Sequence, residues 1–278
     1  MKFLIYFLVT CLILGIFSCE EVIELDLNSV TPQVVIEGFV TDEIGPYTIQ
    51  IKKTVDFYDS NTFPAQEDAQ VKISDDRGNE EFLIETSPGI YQTSTLQGER
   101  GVTYNLEVEL EGVNYTAKSR MPENLIVLDT LTSEFLEESI FYKEGYYVTA
   151  YFSDPPDIDN YYRLQVLVNG EVYIFTFENE DGEVEQSERD INFWLTTDKF
   201  TDGNLQDFEF PHTLKAGDTL EVTLQQLDRA TFDYYNNLVD VIYGDGIAPS
   251  NPISNINNGA LGYFGAFSVA KRTIVIQE

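Results

Sequence analysis

The stretch VTYNLEVEL, residues 102–110, alternates without a break. Val102, Tyr104, Leu106, Val108 and Leu110 fall on one side, and Thr103, Asn105, Glu107 and Glu109 on the other. A period of two over this length is the mark of an extended strand with one buried face. Glu111-Gly112 then supplies a two-residue turn, and VNYTAKS returns with Val113, Tyr115 and Ala117 on the inner side. The spacing predicts a half-buried antiparallel hairpin.

Working outward, similar short runs occupy 33–40, 47–52, 69–75, 81–85 and 89–93, separated by the turn sequences DEIGP, DDRGN and TSPG. That rhythm predicts an immunoglobulin-like sandwich of about seven strands over residues 33–122. Met121-Pro122-Glu123 closes it. A second series over 123–278 begins with LIVLDTLTSEF (125–135) and continues with candidate strands at 146–153, 161–168, 171–177 and 219–227. One segment breaks the period. In DRATFDYYNNLVDVIYG the residues Phe232, Tyr235, Val239 and Ile242 recur at helical spacing, Asp228 can cap the start and Gly244 the end. The expected fold is therefore mainly β, two sandwich-like domains with one helix near 229–243 in the second. A long polar loop, DGIAPSNPISNINNGALGYFGAF, follows the helix and leads to a closing strand near 267–277.

The front of the chain has a different character. Lys2 precedes an almost wholly apolar run from Phe3 to Phe17, shorter than the roughly 20 residues a membrane-spanning helix needs and suited to a signal peptide over 1–18. The run ends Ile16-Phe17-Ser18-Cys19, which resembles a bacterial lipobox, with Cys19 lipidated as the new N-terminus and residues 19–32 as its tether. An ordinary signal with an incidental Cys19 is the alternative. Cleavage there removes Cys11 and commits the other cysteine to lipid, so disulfides, zinc–thiolate sites and cysteine nucleophiles drop out. Glu20 and Glu21 directly behind the cysteine resemble the surface-export signal of Bacteroidetes lipoproteins; a solvated linker is the simpler alternative.

Forty-eight acids against 16 Lys and Arg give a net charge of −32. Such a chain repels polyphosphate, which excludes nucleic acid as a partner. The acids are dispersed among 43% apolar residues, the composition of a folded protein rather than an acidic tail.

Catalytic motifs are missing. His212 is the one histidine and has no Glu-rich helix beside it; no nucleophile elbow, P-loop or dinucleotide glycine pattern occurs between strand and helix. No enzyme activity is expected, and a pair of carboxylates acting as a surface hydrolase is the rival reading, since so many acids make some pair achievable. Asp154, Asp157 and Asp159 in FSDPPDIDNYYRL offer three carboxylates that can hold Ca²⁺. The loop lacks the glycine and terminal Glu of an EF-hand, so solvated acids in a turn are the simpler reading, and no cofactor is expected. Tyr161 and Tyr162, next to Arg163, read as strand and edge packing, with a platform for a sugar ring as the alternative. NPISNINNGALGYFGAFSV brings Asn, Gly and the rings of Tyr263, Phe264 and Phe267 together, either a contact surface for a partner or ligand or a glycine-kinked strand entry packing on the helix.

The lipobox with CEEVIELDL, then VVIEGFVTDEIGPYTIQIKKTVDFYD, AQVKISDDRGN, PGIYQTSTLQGERGVTYNLEV, FSDPPDIDNYYRLQV, LDRATFDYYNNL and NPISNINNGALGYFGAFSV together resemble the DUF4249 family of Bacteroidetes outer-membrane lipoproteins. The resemblance implies a transthyretin-like first sandwich and a lipid-anchored protein of the outer membrane facing the cell exterior. It also implies service as an accessory subunit of a TonB-dependent receptor, in nutrient capture or gating. A structural or adhesive envelope protein is a further alternative. The resemblance supplies no catalytic residues and names no ligand.

Overall fold

The computed structural model describes residues 31–55, 62–173, 176–178, 184–186, 192–211, 213–243 and 251–278. Cys19, Glu20, Glu21 and His212 lie outside the described residues. Among those described the protein is mainly β with a single helix. The first half holds β1 (Val34–Thr41), β2 (Thr48–Lys53), β3 (Gln70–Asp75), β4 (Glu80–Phe82), β5 (Ile84–Ser87), β6 (Ile90–Gln92), β7 (Thr103–Leu110) and β8 (Val113–Arg120). The second holds β9 (Val127–Leu136), β10 (Gly145–Ser153), β11 (Tyr161–Val168), β12 (Glu171–Val172), β13 (Thr176–Glu178), β14 (Val184–Gln186), β15 (Phe193–Thr197), β16 (Leu205–Glu209), β17 (Thr219–Leu227), the helix α1 (Arg229–Tyr243) and β18 (Leu261–Val275). No described helix is long and apolar enough to cross a membrane.

The predicted hairpin is β7–β8, with Leu110 opposite Val113. Glu111 and Gly112 both take positive φ, 52° and 79°, the conformation a two-residue turn needs to follow the strand twist. Asn169-Gly170 does the same between β11 and β12, at 53° and 84°.

One sheet runs through the molecule in the order β12-β11-β17-β18-β1-β2-β6-β5, with β15 also on the β11 edge. The four-stranded sheet β4-β3-β7-β8 and the three-stranded sheet β16-β10-β9 complete two sandwiches against it. The joint is β18. Its first half, Leu261–Phe267, lies parallel to β1; its second, Ser268–Val275, lies antiparallel to β17. The strand therefore begins at Leu261, earlier than the sequence pattern placed it, and the tail of the expected polar loop is sheet.

Alternation along β18 sorts its side chains. Phe264 and Ala266 enter the first core with Ile36, Ile49, Leu106 and Val108; Ala270 and Ile274 pack on the second, with Leu164, Val222 and Leu224. Residues 33–122 supply most of the first core, and Ile256, Ala260, Phe264 and Ala266 complete it. The parallel β1–β18 pairing needs glycine at 262, where φ is +89° and a Cβ would stand 2.1 Å from the Ile36 carbonyl oxygen. The odd residues Tyr263 and Phe267 face the opposite side of the sheet, where α1 lies.

Candidate functional site

A sandwich's outer sheet face is normally polar, since water covers it. Here it is aromatic. Tyr263 and Phe267 of β18, Phe39 of β1, Tyr161 of β11 and Phe193 of β15 meet Phe232, Tyr234 and Tyr235 of α1. Phe39 packs on Phe267 at 5.1 Å between centroids, Tyr234 on Tyr263 at 4.8 Å, Tyr161 on Phe232 at 5.2 Å and Phe193 on Tyr235 at 5.2 Å.

The helix is set by its first residue's neighbour. Asp228 Oδ1 accepts hydrogen bonds from Thr231 N at 2.7 Å and Thr231 Oγ1 at 2.6 Å, the N-cap that the sequence predicted. Thr231 Oγ1 and the Tyr263 hydroxyl lie 2.9 Å apart, which seats the first turn on β18. Burial, helped by the Asp228 charge, pushes the Tyr263 hydroxyl's pKa upward, so it stays protonated as a hydrogen-bonding group.

Two cavities open on this face. One, about 320 Å³, lies between α1 and the sheet and is lined by Glu37, Phe39, Gln50, Tyr234, Leu238 and Tyr263 among others. The next, about 450 Å³, is lined by Ile44, Tyr47, Gln165, Thr223, Gln225 and Lys271 among others. Phe39, Thr48 and Phe267 line both, so the two form consecutive parts of one groove across the shared sheet. Rings with interspersed amides and hydroxyls, at these volumes, are the composition of a small-ligand site.

Arg163 lies in this cluster, and sequence reasoning missed it as a functional residue. Its guanidinium carbon sits 4.1 Å from the Tyr235 ring centre, 5.4 Å from Phe267 and 5.7 Å from Phe193. Its Nε donates to Gln225 Oε1. The alternation in NYYRLQV held the signal: Tyr162 points into the second core, so its neighbours Tyr161 and Arg163 point out together.

The three rings proposed from the sequence part company. All three are buried, but Tyr263 and Phe267 lie on the groove side of β18 whereas Phe264 enters the first core. The asparagines beside them serve the open edge of β8. Asn257 Oδ1 accepts from Thr116 N at 2.7 Å, Asn258 Nδ2 donates to the Asn114 carbonyl at 2.6 Å and Asn255 Nδ2 to the Lys118 carbonyl at 3.3 Å. These amides satisfy edge groups that would otherwise be free to pair with another chain.

The acids of the 152–164 loop also separate. Asp154 is 6% exposed and meets Asp198 (3%) and Asp202, their carboxylate oxygens within 4.8 Å of one another; Asp157 and Asp159 are exposed and outside that group. Tyr162 Oη donates to Asp154 Oδ1 at 2.5 Å, Gly203 N to Asp154 Oδ2 at 2.8 Å and Asn160 N to Asp198 Oδ2 at 2.8 Å. Burial first, with Asp198 and Asp202 adding to it, holds the Asp154 carboxyl above the usual carboxylate range. This is the described group with the spacing to hold a cation. It lines neither cavity of the groove.

The model of a family described as a domain of unknown function, DUF4249, matches residues 20–273. The chain belongs to this family. No curated protein matches it. The DUF4249 match covers both sandwiches, α1 and all but the last residues of β18, so the groove is made entirely within the family's own segment.

Proposed function

We propose that this DUF4249 chain is a binding protein, without catalysis, carried on the outer surface of a Bacteroidetes outer membrane by a lipid on Cys19. In this reading it serves as an accessory subunit of a TonB-dependent receptor, capturing a nutrient for it or gating it. The aromatic groove across the shared sheet supports binding, because it joins rings and amides on one rigid face and draws on both sandwiches. The lipobox-like Ile16–Cys19 and the acids Glu20 and Glu21 support the anchor and its outward display. The net charge of −32 supports a body that stands off an anionic membrane surface.

The test is recovery of the native protein in mild detergent and identification of the outer-membrane barrel that accompanies it. A TonB-dependent receptor at stoichiometric yield is the expected result. Recovery of the protein without any barrel overturns the accessory role.

A further inference from the structure

We propose that the first cavity of the groove takes a small organic cation, an ammonium group carried on an apolar body, with Glu37 as its counter-charge and Phe39 as the ring its body lies on. This rests on the groove being the ligand site.

The charges lining the groove point to a cation. Glu37 lines the first cavity; Glu43, Glu221 and Lys271 line the second. Lys271 is already paired with Glu43, its Nζ 2.8 Å from Glu43 Oε1. Among the described residues Glu37 and Glu221 make no ion pair, so the groove presents carboxylates that no lining cation answers. A cleft lined by one sign of charge, in a body of net charge −32, concentrates ions of the opposite sign and repels anions.

Acids are common over this whole chain, and Glu37 differs from the others in its neighbours. In register it stands opposite Tyr263 on β18 and opposite Gln50 on β2, and Phe39 follows it on the same face of β1. All four line the first cavity. Phe39 is paired with Gly265, so no side chain rises directly across from it on β18, and the ring is 45% exposed. Burial first, with the Glu37 charge adding to it, pushes the Tyr234 hydroxyl upward, so that ring stays neutral. A carboxylate beside uncharged ring faces is an arrangement that holds an ammonium: the acid accepts its N–H groups, and the negative faces of the rings attract the charge.

Arg163 leaves this end of the groove free. Its guanidinium lies against Tyr235, Phe267 and Phe193, and among the described residues no cation lies over Phe39, Tyr234 or Tyr263. A cavity of about 320 Å³ suits one small molecule. Glu221 is paired with Thr273, and from Tyr263 to Thr273 the strand rises roughly 33 Å, so a ligand seated at Glu37 does not reach that second acid. The ammonium of a free amine and that of a peptide lysine share this chemistry.

The experiment is calorimetric titration of the full chain in detergent with phenethylammonium, with neutral phenethyl alcohol, with phenylpropionate and with acetyl-Gly-Lys-Gly amide. Expected is binding of phenethylammonium, with the alcohol at least about tenfold weaker and the anion weaker still. Glu37→Gln should narrow the gap between cation and alcohol by about threefold or more. Phe39→Ala should weaken both. Both side chains are exposed, and a melting curve of each variant shows that it folds; if either does not, the wild-type comparison of cation with alcohol carries the test. Tighter binding of the lysyl peptide than of the free amine upholds the cation and places it on a peptide. Equal affinity for cation and alcohol, preference for the anion, a gap that Glu37→Gln leaves unchanged, or no binding of any probe overturns the inference. Equal binding of cation and alcohol that Phe39→Ala still weakens removes the charge preference and keeps the groove as the ligand site. Receptor co-recovery is a separate measurement, so failure here leaves that result standing.

Discussion

Asp228 holds Ser119 across the two halves of the chain. Its Oδ1 caps α1 while its Oδ2 accepts the Ser119 hydroxyl at 2.7 Å, and Ser119 Oγ in turn accepts from Ala266 N at 2.8 Å. One carboxylate thus ties the helix of the second half to β8 of the first and to the strand they share. Asp228→Ala should cost about 2 kcal/mol or more, above an ordinary cap, because it also leaves a buried hydroxyl without its acceptor. Asp228→Asn keeps an oxygen for the cap and should lose less. Chemical denaturation of both variants checks this, and equal losses would mean that the cap and the cross-link are not both made in solution.

The shared strand makes a second prediction. The first core is closed by Ile256, Ala260, Phe264 and Ala266, all far beyond residue 122. Residues 31–122 expressed alone should therefore give a loosely packed product that binds a hydrophobic dye and melts without a sharp transition. A cooperative melt from that fragment would show that β18 is dispensable to the first sandwich.

What was legible in the sequence was local. The β7–β8 hairpin announces itself by alternation and a Glu-Gly turn, and α1 by its period and by Asp228, because neighbours in sequence make those contacts. The strands β15 and β16 left weak traces, since their residues are mostly half-exposed and neither face is clearly apolar. The parallel partnership of β1 with β18 joins residues at opposite ends of the chain and leaves no local pattern. The candidate site shows the same division. Asp154 was visible in its acidic loop, but Asp198 and Asp202 reach it from another connection between strands. Tyr263 and Phe267 were visible as rings in a glycine-rich stretch, while the strand's alternation, which turns Phe264 away from them, was masked by Gly262 and Gly265.

Phe39 and Phe264 give a contrast between groove and core. Phe264 is fully buried, so Phe264→Ala should cost about 3–5 kcal/mol. Phe39 is nearly half exposed and rests on Phe267, so Phe39→Ala should cost about 1 kcal/mol, the worth of an aromatic pair. Comparable losses on the same denaturation curves would place Phe39 in a core and remove it from the groove.

Acid should act on Glu81 and Asp154 in opposite directions. Burial pulls the Glu81 carboxyl upward, but hydrogen bonds from Ser94, Leu96 and Thr95 together outweigh it and hold the group below its ordinary 4.5. A depressed carboxylate stabilises the fold above 4.5, and that contribution is lost as pH falls through the folded value. Asp154 is held above its ordinary 3.8 by burial and by its acidic neighbours. Its contribution is therefore present below 3.8 and is lost as pH rises through the folded value. Glu81→Gln should melt below the wild type at neutral pH, with the gap narrowing on acidification below 4.5. Asp154→Asn should gain on the wild type as pH climbs from below 3.8 toward neutrality, whatever the substitution costs at the start. Melting temperatures of the three proteins between about pH 3 and pH 8 read both slopes. A Glu81→Gln gap that stays constant with pH would sink the capping role of Glu81 around Ser94–Leu96, and an Asp154→Asn gap that moves the other way would mean that the Asp154 carboxylate is ionised and stabilised where it lies.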